Sequence, residues 1–221
     1  DANLIEIVVN FSLNNIDSSN KLTYLINSKG VLKVKNEFTY SGSLKDAQMP
    51  RFGMNFTMPK SYKNILWYGR GPHENYIDRK SSAFVGLYEN LVEDLDFEYS
   101  RPQENGYRTD VRWFRALNEN NIGFEIKGEP LISFSAHYNT IEDFDDGLRP
   151  NNPGEKVGTR KRIIKKQRKP IDVPKRDFIS LNIDLKQMGV GGDNSWGART
   201  LPKYTINPGN YTYSFTISPV N

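Results

Sequence analysis

The chain has 221 residues, 37% hydrophobic and 12% aromatic, with a formal net charge of +4 and no cysteine. That composition predicts a folded globular protein and excludes a disordered one, and the charge implies only a mild attraction for anions. Without cysteine there are no disulfides, thiolate nucleophiles or zinc–thiolate sites, and with only His73 and His137 a histidine-rich metal site is not expected.

No run approaches the roughly 18 apolar residues of a membrane helix, so no membrane partner is expected. No basic segment leads into an apolar one, as a signal peptide requires. The chain opens on a strand pattern without an initiator Met. It reads as a segment of a longer protein whose targeting signal would lie elsewhere; the lack of cysteine fits cytoplasm and periplasm alike.

Period-two alternation dominates from the start. Residues 5–11 (Ile-Glu-Ile-Val-Val-Asn-Phe) and 21–25 read as strands, and 31–40 resumes the alternation after the turn Asn27-Ser28-Lys29-Gly30. Two alternating runs across a short Gly-containing turn predict a hairpin. Further strands are expected at 51–58, 64–68, 107–114, 122–126, 132–136, 178–185 and 211–217, with Pro and Gly as punctuation. Helical periodicity is scarce: short helical turns are expected within 81–91 and from 141 to 144. Many short strands without long helices predict an all-β fold, a large antiparallel β-sandwich. No linker or internal repeat divides residues 1–221, so one domain is expected. The stretch 147–175, rich in Pro, Gly and charge, reads as a loop insertion.

Within it Arg160, Lys161, Arg162, Lys165, Lys166, Arg168 and Lys169 crowd together. Such a run suits an anion or nucleic-acid patch, or a solvated loop or edge. No nucleic-acid motif accompanies it, so no nucleic-acid partner is expected.

Three other segments carry chemistry. Trp67-Tyr68-Gly69-Arg70-Gly71-Pro72-His73-Glu74-Asn75-Tyr76-Ile77-Asp78-Arg79 gathers aromatic, acidic and basic groups around a Gly-Pro turn. Glu74 or Asp78 there could act as general acid or base, or pair with Arg70 and Arg79 in a structural turn, which the alternating charges favour. Arg101-Pro102-Gln103-Glu104-Asn105-Gly106 ends in a strong turn signal, and a catalytic Glu104 would need a second carboxylate at a suitable distance. Met188-Gly189-Val190-Gly191-Gly192-Asp193-Asn194-Ser195-Trp196-Gly197 lacks the Gly-Lys-Ser/Thr of a phosphate loop. It reads as a glycine-shaped loop presenting Trp196, either to the apolar face of a sugar ring or to the core. His137, at a strand end, is expected to be structural.

Taken in order and at this spacing, the three segments resemble the C-terminal small-chain domain of the large β-galactosidases of glycoside hydrolase family 2. Pro50-Arg51-Phe52-Gly53 and Phe134-Ser135-Ala136 fit the same pattern, and the likeness spans nearly the whole chain. It implies a galactose-mutarotase-like supersandwich that does not carry the catalytic residues. The acid/base and nucleophile glutamates of such enzymes lie in a separate (β/α)₈ barrel of about 250 residues, for which this chain is too short. The resemblance also implies that Trp196 forms a platform for a β-galactoside, that the barrel domain of the parent chain is the partner, and that the parent is a homo-oligomer. Magnesium and sodium, often used in the family, belong to the barrel, so no cofactor is expected in this chain. The sequence departs from the family pattern at Asp193-Asn194, commonly two aspartates, and in the long basic stretch. Two other readings stay open: a free-standing aldose 1-epimerase, which needs a Glu base and a His acid, and an independent carbohydrate-binding module.

Overall fold

The computed structural model describes residues 3–42, 48–144, 169–192, 194 and 197–221. Ten strands appear in chain order: β1 (Leu4–Leu13), β2 (Ser18–Asn27), β3 (Leu32–Tyr40), β4 (Arg51–Pro59), β5 (Asn64–Gly71), β6 (Phe84–Leu91), β7 (Arg108–Leu117), β8 (Gly123–His137), β9 (Phe178–Gln187) and β10 (Tyr211–Val220). A single helical turn, α1 (Val92–Leu95), separates β6 from β7, and short 3₁₀ turns fill several connections. Every strand pairing is antiparallel. The all-β antiparallel fold read from alternation is therefore what the chain adopts.

The alternation is visible residue by residue in β3, where Val34, Asn36 and Phe38 are buried and Lys33, Lys35 and Glu37 point outward or to the rim. The β2–β3 hairpin closes as its turn residues predict. Asn27 Oδ1 accepts hydrogen bonds from the backbone N–H of Lys29 and Val31, and Gly30 takes a φ of +75°. Few residues but glycine sit comfortably there.

The strand order β1-β2-β3-β10-β8-β7-β5-β6 makes one path, and β4 and β9 leave it through β8. The expected strands at 122–126 and 132–136 are two ends of this one 15-residue strand. Its residues 123–129 pair with β10, and its residues 133–137 pair with β9. Pro130, which has no N–H to give a ladder, stands between the two halves. The β9–β4 ribbon thus folds back as a second layer. The Phe52 ring of β4 meets Phe38, Tyr211 and Tyr213 at 5.9, 5.7 and 5.6 Å, and Phe56 and Tyr62 meet Phe124. Burying each such ring contributes about 1.5–3 kcal/mol. Trp67 is wholly buried at the centre. Its indole N–H donates to the Arg70 carbonyl at 3.0 Å, so its one polar atom is satisfied.

One expectation fails. Residues 84–91, expected to hold a helical turn, form β6, paired in register with β5 from Asn64↔Leu91 to Gly71↔Phe84. Ala83, Leu87 and Leu91 recur every four residues as on a helix face, but Leu87 points to solvent, and the β5 ladder overrides the local pattern. The 3₁₀ turn at Ile141–Phe144 is as expected. The basic run at 160–168, and the insertion from 147 to 168, lie outside the described residues.

Candidate functional site

The turn following β5 is built around Asn75. Its backbone N–H donates to Tyr107 O at 2.8 Å, and its Oδ1 accepts from the N–H and hydroxyl of Thr109 at 3.0 and 2.6 Å. Glu74 is then aimed across to the next motif. Its Oε1 accepts from Arg79 Nη2 at 2.5 Å and from the Tyr99 hydroxyl, and its Oε2 accepts from Gly106 N–H at 2.7 Å. Oε2 thus ties the segment 72–79 to 101–106, while Oε1 is taken up by Arg79 of its own turn and by Tyr99. Arg108, buried at the start of β7, closes the same junction by donating to the carbonyls of Pro72, Leu95 and Gly106. Burial draws its guanidinium down to about 10, against the upward pull of Glu74.

Arg70 does not pair with Glu74 or Asp78, as the alternating charges suggested. Its Nε donates to Asp110 at 2.5 Å, and Lys80 Nζ donates to the same carboxylate. Burial would raise Asp110, but these bonds outweigh it and hold the carboxyl below its usual range. Asp78 turns instead to the glycine loop. Its Oδ2 accepts from Gly191 N–H at 2.8 Å and from the Thr200 hydroxyl at 3.3 Å. The loop passes so close that a Cβ on Gly189 would lie 2.5 Å from Asp78 Cγ. Gly189 N–H donates to Tyr204 O at 2.8 Å, and Gly191, Gly192 and Gly197 all take positive φ. The shoulders of the loop are therefore pinned and its bends use glycine. Trp196 itself lies outside the described residues.

Beneath these loops sits a buried ion cluster. Arg51, at the start of β4, faces Asp184 Oδ2 at 2.9 Å and Glu104 Oε1 at 3.0 Å, and its Nε donates to Gln187 at 3.2 Å. The Tyr107 ring lies 5.5 Å from the guanidinium carbon, and Tyr76 stacks on Tyr107 at 5.5 Å. A β-bulge at Phe52/Gly53 makes room, for a Cβ on Gly53 would lie 1.8 Å from Asp184 Oδ1. Glu104 is thus a salt-bridge partner of Arg51. Asp184 and Arg108 were not singled out from the sequence. Nothing local marks Asp184, which takes its place in the polar row Ser180, Asn182, Asp184 and Lys186 that alternates with Ile179, Leu181, Ile183 and Leu185.

Burial pushes Asp184 from 3.8 up to about 7, while Arg51 and Tyr107 pull it back. A group with a raised folded value binds its proton more tightly when folded. Its stabilising contribution is full below 3.8 and declines as pH climbs toward about 7. Asp184→Asn should therefore remove a downward slope in stability between about pH 4 and 7, read by urea unfolding at a series of pH values. An unchanged slope would exclude Asp184 as its source.

Both histidines are engaged within the frame. His137 is buried, with Nδ1 bonded to Asp96 and Nε2 3.1 Å from Asn105 O. His73 Nε2 lies 3.0 Å from the Ser82 hydroxyl. Among the described residues no group of three or more His, Asp or Glu side chains is arranged to hold a metal ion. The three motifs and Arg51 thus meet in one place, joined by Glu74 to Gly106, Asp78 to Gly191 and Arg51 to Glu104. This arrangement ties the glycine loop to the turn after β5 through Asp78.

Comparison with known proteins accords with that geometry. A β-galactosidase from Priestia megaterium is 36% identical over 215 residues, covering 97% of this chain but 19% of its own length. One from Halalkalibacterium halodurans is 32% identical over 189 residues, covering 84% of this chain and 17% of its own length. The chain therefore spans less than a fifth of these relatives. A solved putative aldose 1-epimerase from Escherichia coli K12 has a TM-score of 0.45 at 13% identity, over 100% of this chain and 66% of its own. The family model described as β-galactosidase small chain matches residues 2–217, and the chain belongs to that family.

Proposed function

We propose that this chain forms the part of a retaining β-galactosidase that carries a sugar platform, Trp196, to a site whose catalytic carboxylates come from a separate barrel domain of the same polypeptide. The observation that carries this reading is the glycine loop, held by Asp78 at Gly191 and Thr200 and by Tyr204 at Gly189. Such anchoring fixes the two shoulders of the loop to the turn after β5 and to the Tyr204 segment. An indole plane suits the C–H face of galactose, and hydroxyls at the ring edge need polar partners from the opposing domain. The glycosidic bond would then be cleaved through a covalent galactosyl intermediate on a barrel glutamate, with retention. Oligomerisation of the parent belongs to the same reading.

The test uses the full-length protein that contains this segment. It should hydrolyse o-nitrophenyl β-D-galactoside and lactose, and proton NMR should detect β-galactose as the first-formed product. Initial release of α-galactose would refute retention. No hydrolysis, combined with accelerated mutarotation of fresh α-galactose by polarimetry, would instead favour the epimerase reading. That reading has less support here, because both histidines are bonded into the frame.

A further inference from the structure

β1 exposes more large apolar side chains than any other described strand; the opposite edge, β6, exposes Phe84, Val85 and Leu87. Leu4, Ile5, Ile7, Val8 and Phe11 are each at least 45% exposed, although their side chains fall on both faces of the strand. A strand apolar on both faces is the mark of one buried on both faces. Among the described residues β1 pairs only with β2, so its outer edge carries unpaired backbone groups. Edges left to solvent are usually guarded by lysine, proline or a bulge. β1 has none of these: its only charge is Glu6, and its register with β2 is unbroken from Leu4↔Asn27 to Leu13↔Ser18.

Beside it runs an apolar groove of about 610 Å³ between the β1–β3 ribbon and β4, lined among others by Phe11, Leu22, Phe38, Phe52 and Met54. Asn20 and Asn36 also line it. The Oδ1 atom of each is buried and accepts no hydrogen bond among the described residues. A buried amide oxygen left unpaired is costly, so the groove calls for a donor as well as apolar cover.

We infer that β1 and this groove form an internal seam, covered in the complete protein by a further β-strand layer of the same polypeptide, from outside residues 1–221. That layer would extend the sheet past β1, cover both faces of the strand, and donate to Asn20 and Asn36. The relatives leave room for it, since more than four-fifths of their length lies beyond this match. A second copy fits less well: edge-to-edge pairing of two β1 strands satisfies the backbone but leaves the apolar faces of both exposed. The inference does not depend on which sugar the protein takes.

Hydrogen exchange on the full-length, unsubstituted protein tests it. An uncovered edge protects only alternate amides, because the others point away from its one neighbour. Along β1 all amides should instead be protected, at a level like that of β3. Site-directed labelling adds a second arm. Ile7→Cys and Val8→Cys, on opposite faces, should react with maleimide about 100-fold more slowly than Lys29→Cys in the exposed β2–β3 turn. Alternate-only protection, or labelling as fast as at position 29, overturns the inference. Protection lost on dilution, as a dimer dissociates, also overturns it and assigns the seam to a second copy. Hydrolysis measured on the same sample keeps a failed seam distinct from a failed functional reading.

Discussion

Arg51→Met in the full-length protein is expected to lower the local stability of β4 and β9 by about 3–5 kcal/mol at about pH 8. The cause is the partner it abandons. Asp184 is fully buried, and Arg51, 2.9 Å away, pulls its raised value back toward about 7, so without the guanidinium Asp184 must either stay charged with no counter-ion or take up a proton. Glu104 loses its hold on the 101–106 segment at the same time. Native-state hydrogen exchange of the β4 and β9 amides measures the loss where whole-protein melting would mix several domains. The loss should shrink at about pH 5, because Asp184 can then take up a proton. Arg51→Met with Asp184→Leu removes both charges and should cost less than Arg51→Met alone. If the double variant is the less stable, the pair is not what holds this corner together.

The second large effect concerns the platform. On the proposed reading, Trp196→Ala in the full-length protein should lower kcat/KM for a β-galactoside about 10- to 100-fold, the equivalent of about 1.5–3 kcal/mol of lost ring contact. Most of the loss should fall on KM, since stacking on a sugar face binds ground state and transition state alike. Trp196→Phe should recover part of it. Kinetics equal to the unsubstituted enzyme would remove Trp196 from the site.

Strands such as β3 and β5 were legible because one face is buried and alternation records that directly. β6 was not, because spacing along 83–91 fits a helix until the β5 ladder is known. β8 was read as two strands because nothing local says that one strand continues through Pro130. The site followed the same division. The three motifs stood out by composition and Arg51 only through the family resemblance, and the structure brings them together. Their pairing was hidden, because Arg51 reaches Glu104 across 53 positions and Gln187 across 136. Arg70 shows how proximity in sequence misleads: acidic neighbours flank it within its own turn, but its partner Asp110 comes from β7. Arg108, which nothing in the sequence singled out, is the buried brace of the junction.

The long strand β8 also governs how this fold can vary over evolutionary time. One half of it keeps register with β10 and the other with β9, and side chains alternate with a period of two. Gain or loss of a single residue near the middle would exchange the buried apolar row Ile132, Phe134 and Ala136 for the buried polar row Ser133, Ser135 and His137. Drift in length is thereby steered away from residues 123–137 and toward the connections between strands, where the chain can lengthen without inverting anything.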